Sequence, residues 1–176
     1  MARLADSRDS GPNKSLTSAD LHLQLRSPRP HRLTIFVIDT SDSMGDGPMT
    51  RMSAALGAIS ALASRAYLNR EQVCLITFRD RQAQLVVPPT DSVMRIRQQL
   101  NRLPVGGATP LSAGLQKAMQ VIDQARRKDS MVVPLLVLIS DGEATMPLQA
   151  GADPAQEALE IARQLGRDPV RALVID

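Results

Sequence analysis

Three short stretches of this chain carry the oxygen-bearing side chains that could do chemistry. Ile35-Phe36-Val37-Ile38 runs into Asp39-Thr40-Ser41-Asp42-Ser43, and Leu136-Val137-Leu138-Ile139 runs into Ser140-Asp141-Gly142-Glu143. The third stretch, Gly106-Gly107-Ala108-Thr109, stands directly before Pro110. Two carboxylates (Asp39, Asp141) and three hydroxyls (Ser41, Ser43, Thr109) form a set of hard oxygen donors. Mg²⁺ or Mn²⁺ takes such donors, Mg²⁺ with roughly six oxygens near ~2.1 Å and some waters retained. Alternate residues 39, 41 and 43 can wrap one side of an ion when their loop curls, and the two glycines let a backbone approach without a Cβ.

The charge count points to recognition. Two carboxylates only neutralise a divalent ion and hydroxyls add little, so an open coordination position stays electrophilic and suits a carboxylate from a partner. No His or Glu stands in an obvious relation to these loops as a base; the histidines, His22 and His31, fall in the N-terminal tail. A competing reading treats these residues as helix caps, since Asp, Ser and Thr are favoured at strand–helix junctions. Thr109 before Pro110 and Asp153 before Pro154 both have that form. A phosphohydrolase of the haloacid dehalogenase type also ends a strand in Asp, but it needs a second Asp two residues on, where this chain has Ser41.

These loops need a scaffold. Leu33–Ile38 is nearly all apolar, as in a strand covered on both faces. A helix is expected from about Met49 to Asn69, with Met52, Leu56, Ile59, Ala63 and Ala66 inward. Strands follow at Val73–Phe78 and Gln82–Val87, antiparallel through a turn at Arg79-Asp80-Arg81, with Pro88-Pro89 ending the second. Val93, Ile96, Leu100 and Leu103 mark a short helix. Pro110–Lys128 is expected to be another, with Pro at its first position and Leu111, Leu115, Ala118, Met119 and Ile122 inward. Val132–Ile139 reads as a fully buried strand. A helix opened by Asp153-Pro154 and closed at Gly166 should face Leu159, Ala162 and Leu165 inward. Val170–Ile175 is the last strand. The order β-α-β-β-α-α-β-α-β predicts an α/β doubly wound, mostly parallel sheet with one antiparallel edge strand and helices on both faces. Functional loops then lie at the carboxyl ends of the strands, and Asp39 faces Asp141 if their strands are neighbours.

Bulk properties set the outer limits. With 43% hydrophobic but only 2% aromatic residues, the core must be aliphatic. Cys74, the single cysteine, excludes an internal disulfide and reads as a buried, inert thiol. The longest nearly unbroken apolar run, Met131–Ile139, is too short to span a membrane, and no signal-peptide pattern opens the chain, so a cytoplasmic location is expected. Residues 1–32 hold six Lys/Arg and three Asp, a net of 6 − 3 = +3, whereas residues 33–176 hold 15 of each sign and net to zero. The basic balance belongs to a tail, and without basic clusters interleaved with aromatics no nucleic-acid partner is expected. Residues 1–31 are read as a disordered tail and linker and 32–176 as one domain.

The Asp39–Ser43 segment resembles the DxSxS of the metal-ion-dependent adhesion site in von Willebrand factor A domains, and Thr109 and Asp141 fall where that family's other two ligands belong. Softer similarity in Glu71-Gln72-Val73 to Phe78-Arg79, Pro88-Pro89-Thr90, Gly106–Leu111 and Leu138–Gly142 resembles the C-terminal domain of the magnesium chelatase D subunit. The resemblance spans roughly Asp20 to Asp176. It implies ion ligation by Ser41, Ser43 and Thr109, with Asp39 and Asp141 direct or through water. It further implies a non-motor interaction module whose partner is an AAA+ ATPase or chelatase subunit, an accessory part and not a catalyst by itself. No GxxxxGK[ST] phosphate loop is present, in keeping with that role. The family usually has Gly where Asp42 stands; Asp tolerates a left-handed backbone, and its carboxylate is expected to face water. The family also continues past the last strand with another helix, so this chain is expected to lack that helix and to leave one sheet face partly uncovered.

Overall fold

Alternation inside one strand decides the layering of the molecule. The computed structural model describes residues 30–42 and 51–176, apart from the side chains of 51, 52, 54 and 55. The expected tail at 1–29 and the inward Met52 therefore lie outside the described residues. In β1 (His31–Asp39), Leu33, Ile35 and Val37 enter one core while Phe36 and Ile38 enter another on the opposite face. Successive side chains of a strand point to opposite faces, so a strand apolar at every position must be covered twice.

β1 is central. It pairs in parallel with β2 (Gln72–Arg79) on one side and β4 (Val132–Ile139) on the other. β3 (Gln82–Thr90) is antiparallel to β2, and β5 (Arg171–Ile175) is parallel to β4. The five-stranded order is β3-β2-β1-β4-β5. α1 (Arg51–Leu68) and α2 (Val93–Leu100) cover one face through Ile59, Ala63, Ala66, Ile96 and Leu100. α3 (Leu111–Lys128) and α4 (Pro154–Arg167) cover the other. At Gly114 an added Cβ would lie 2.5 Å from the Phe78 ring, so α3 sits against β2 closer than alanine permits. Cys74 is fully buried, and that burial pushes its thiol up to about 12, as expected of an inert core residue. No described helix is long and apolar enough to cross a membrane.

Several expected boundaries shift for physical reasons. β3 continues through Pro88 and Pro89 to Thr90, because its edge position spares one missing amide and the register shift between Val73 and Leu75 accommodates the other. β1 begins one residue inside the expected tail, with His31 Nδ1 3.6 Å from Asp129 at the end of the strand remote from the loops. Pro110, with φ −84° and ψ 68°, takes the cap position instead of the first helical one. Thr109 is thereby released from the capping role. α2 stops at Leu100, leaving Leu103 packed beyond its end. α4 passes through Gly166 to Arg167, and its Asp153 cap accepts the Gln156 amide at 2.9 Å, as expected. Its inward face is Ala158, Ile161 and Leu165, whereas Leu159 is 44% exposed and Ala162 is exposed. That face is wider than the surface it meets. β4 is likewise not wholly buried, since Val133 is 40% exposed.

Candidate metal centre

The carboxyl ends of β1 and β4 stand side by side because those strands pair in parallel and in register, Ile38 opposite Ile139. Each then turns into a polar loop, and the sheet brings together residues a hundred positions apart. Ser140 Oγ donates to Asp39 Oδ2 at 2.9 Å, and the Ser41 amide donates to Asp39 Oδ1 at 2.9 Å. The third loop is stitched to the first by main-chain bonds: Asp42 N–H to Gly107 O at 3.1 Å and Gly106 N–H to Thr40 O at 2.8 Å. Gly106 and Gly107 have φ of +137° and +93°, and a Cβ on Gly107 would collide with the Asp80 carboxylate. The positive φ at both positions is what favours glycine there, with the Asp80 carboxylate closing the space beside Gly107.

The same loop is joined to the β4 loop. Thr109 N–H donates to Thr145 Oγ1 at 2.8 Å, and Thr109 O accepts from the Thr145 and Met146 amides. Gly142 N–H donates to Ser140 Oγ, and Glu143 N–H to Asp141 Oδ1, so each turn is held by its own side chain. Asp39, Ser41 and Thr109 are each no more than 3% exposed, and Asp141 is partly open to solvent. Ser43 lies outside the described residues. Asp42 is exposed as expected, but its backbone is not left-handed, so the tolerance of Asp for that conformation is not drawn on.

Burial pushes the Asp39 carboxyl above its ordinary range. Hydrogen bonds from the Ser41 hydroxyl and amide and from the Ser140 hydroxyl pull the other way, and the like charge of Asp141 adds to the rise. A buried carboxylate beside a second carboxylate, with neutral hydroxyls around it, fits a hard divalent cation. The donor set is built from hydroxyls more than from acids, and among the described residues no three His, Cys, Asp or Glu cluster as metal ligands. Sequence reasoning overlooked Ser140 and Thr145. Ser140 stands next to Asp141 in the sequence, yet its bond to Asp39 depends on strand order, and Thr145 carries no motif of its own.

Residues 34–143 match the family model of the von Willebrand factor type A domain. The chain is 36% identical over 171 residues to the magnesium-chelatase 67 kDa subunit of Chlorobaculum parvum, covering 92% of this chain and 27% of that protein. It is 35% identical over 162 residues to the magnesium-chelatase 60 kDa subunit of Rhodobacter capsulatus, covering 90% and 28%. It thus spans little more than a quarter of the length of these relatives. The fold is shared with the manganese-loaded TRAP protein of Plasmodium vivax, at TM-score 0.62 and 16% identity over 82% of this chain and 56% of that one.

Proposed function

Because the chain belongs to the von Willebrand factor type A domain family, we propose that it is a divalent-cation-dependent protein-interaction module of a magnesium-chelatase-type assembly. The observation that carries this reading is the buried Asp39 carboxylate, ringed by Ser41 and Ser140 and facing the charge of Asp141 at the rim of the sheet. Asp39, Ser41, Ser43, Thr109 and Asp141 would hold the ion, Mg²⁺ or Mn²⁺, with Ser140 and Thr145 orienting the ligands. Bound there, the ion supplies a Lewis-acidic position for one carboxylate of a partner protein. The chelatase assignment draws on the relatives named above, and within it this module couples subunits without itself turning over substrate.

The reading is tested by heat and by capture. At ten times its dissociation constant, Mg²⁺ should stabilise the folded chain by roughly 1.4 kcal/mol, since only the native state has the three loops assembled. Asp39→Asn should abolish that shift in melting temperature while the variant stays folded; an unchanged shift removes Asp39 from the site. Capture of a chelatase-type ATPase subunit should require Mg²⁺ and fail with EDTA. Metal-dependent capture of a different ATPase would keep the module and discard the tetrapyrrole connection.

A further inference from the structure

Beside the metal loops lies a second polar feature. A cleft of about 910 Å³ opens between the β2–β3 hairpin and the C-terminal end of α2. The ladder puts Arg79 opposite Gln82 and Thr77 opposite Gln84, and Arg102 and Gln99 complete the wall from the helix side. Three guanidiniums (Arg79, Arg81, Arg102) line it against one carboxylate, Asp80, whose Oδ2 lies 3.7 Å from Arg79 Nε. Among the described residues no carboxylate pairs with Arg81 or Arg102. Both are exposed, and arginine forks suit carboxylates.

The cleft is fixed relative to the metal loops. Thr40, which lines it, sits between Asp39 and Ser41 and is pinned by its amide and hydroxyl to Phe78 O at 3.1 and 3.3 Å. The turn residue Asp80 donates its amide to Ala108 O at 2.8 Å, tying the hairpin to the double-glycine loop. Main-chain bonds therefore join the arginine-lined cleft to the loops that carry Asp39 and the double glycine. No aromatic side chain lines the cleft, so bases would find no stacking platform.

We propose that this arginine cleft is a second anchor for an acidic segment of the partner protein, binding its Asp or Glu side chains independently of the ion. It rests on the metal-site reading for the chemistry of the partner, but uses different residues. The probe is fluorescein-labelled hexaglutamate, followed by anisotropy with the whole chain in Mg²⁺ and in EDTA. Arg81→Ser/Arg102→Ser should weaken binding on the order of ten-fold in both media, through loss of charge-assisted hydrogen bonds. The control pair Arg126→Ser/Arg127→Ser, on the far end of α3, should change it by less than about two-fold. Arg81→Glu/Arg102→Glu should transfer affinity to hexalysine, a gain that misfolding could not produce. Equal binding by the Arg81/Arg102 variant, an equal loss in the control pair, or tighter binding of oligothymidylate than of hexaglutamate overturns the proposal. If Mg²⁺ adds nothing, and Asp39→Asn changes nothing, while the Arg81/Arg102 loss persists, the cleft stands and the ion reading falls.

Discussion

At one edge of the sheet, β3 turns Gln82, Gln84, Pro88 and Pro89 to solvent; at the other, β5 turns out Leu173 and Val174, 45% and 62% exposed. The β3 edge is guarded by prolines and exposed glutamines and anchored by packing, because Phe78 from its partner strand is driven against Gly114 of α3. The β5 edge is the reverse. An apolar groove of about 390 Å³ runs between α3, α4, β4 and β5, lined by Leu111, Leu138, Leu159, Val170 and Val174 among others. What holds this side together is partly a polar clasp, in which the Glu157 carboxylate accepts the amides of Leu148 at 2.7 Å and Gln149 at 3.0 Å. The metal loops lie between the two edges. They are tied to both: Thr40 and Asp80 bond toward the β3 side, Ser140 and Thr145 toward the β4 side, and only the β5 side adds greasy surface of the kind that invites association.

The largest effect belongs to Phe78→Ala, which removes the ring filling the space between β2 and α3 and should cost about 3–5 kcal/mol in urea unfolding. The Phe78 main-chain carbonyl that receives Thr40 survives in this variant, so a loss of Mg²⁺-dependent stabilisation as well is expected only if the packing beneath that strand end positions the loops. A loss below about 1 kcal/mol would show that this edge is not the anchored one.

A smaller effect is expected at Glu157. Desolvation is the largest single influence and raises its carboxyl, but the amides of Leu148 and Gln149, helped by the Ser112 hydroxyl, together outweigh it and hold the group below its ordinary range. A depressed folded-state value means that stability from this group is present above the unfolded value and is lost as pH falls through the folded one. Glu157→Gln should therefore destabilise the chain at neutral pH, by less than about 1 kcal/mol for so accessible a group, and the difference from the parent should vanish in strong acid. A difference that grows on acidification would contradict the clasp.

The smallest effect on stability belongs to Leu159→Lys/Val174→Lys. Both residues are already exposed, so the folding free energy should move by no more than about 0.5 kcal/mol. Binding of a hydrophobic dye to this face should fall. If the double variant instead unfolds, the groove is a working part of the core and the two edges are more alike than their exposures imply.

The layered architecture and much of the site could be read from residue patterns. A nearly all-apolar strand such as Leu33–Ile38 can survive only between two layers, and helices spaced like Ile59, Ala63 and Ala66 supply one of them. The polar turns after Ile38 and Ile139, together with the double glycine before Thr109, name the loops because few other positions pair hard oxygen donors with strand ends. The covering of α4 was not legible: Leu159 and Ala162 lie on the same apolar stripe as Leu165, and helical periodicity reports how apolar a face is, not how much of it meets a neighbour. Nor were the Ser140–Asp39 bond, the Thr145 contact to Thr109 or the arginine cleft, since residues 101 and 36 positions apart in two of these cases meet only through strand order. Local physics is written along the chain, but which polar groups end up facing each other depends on how the sheet is assembled.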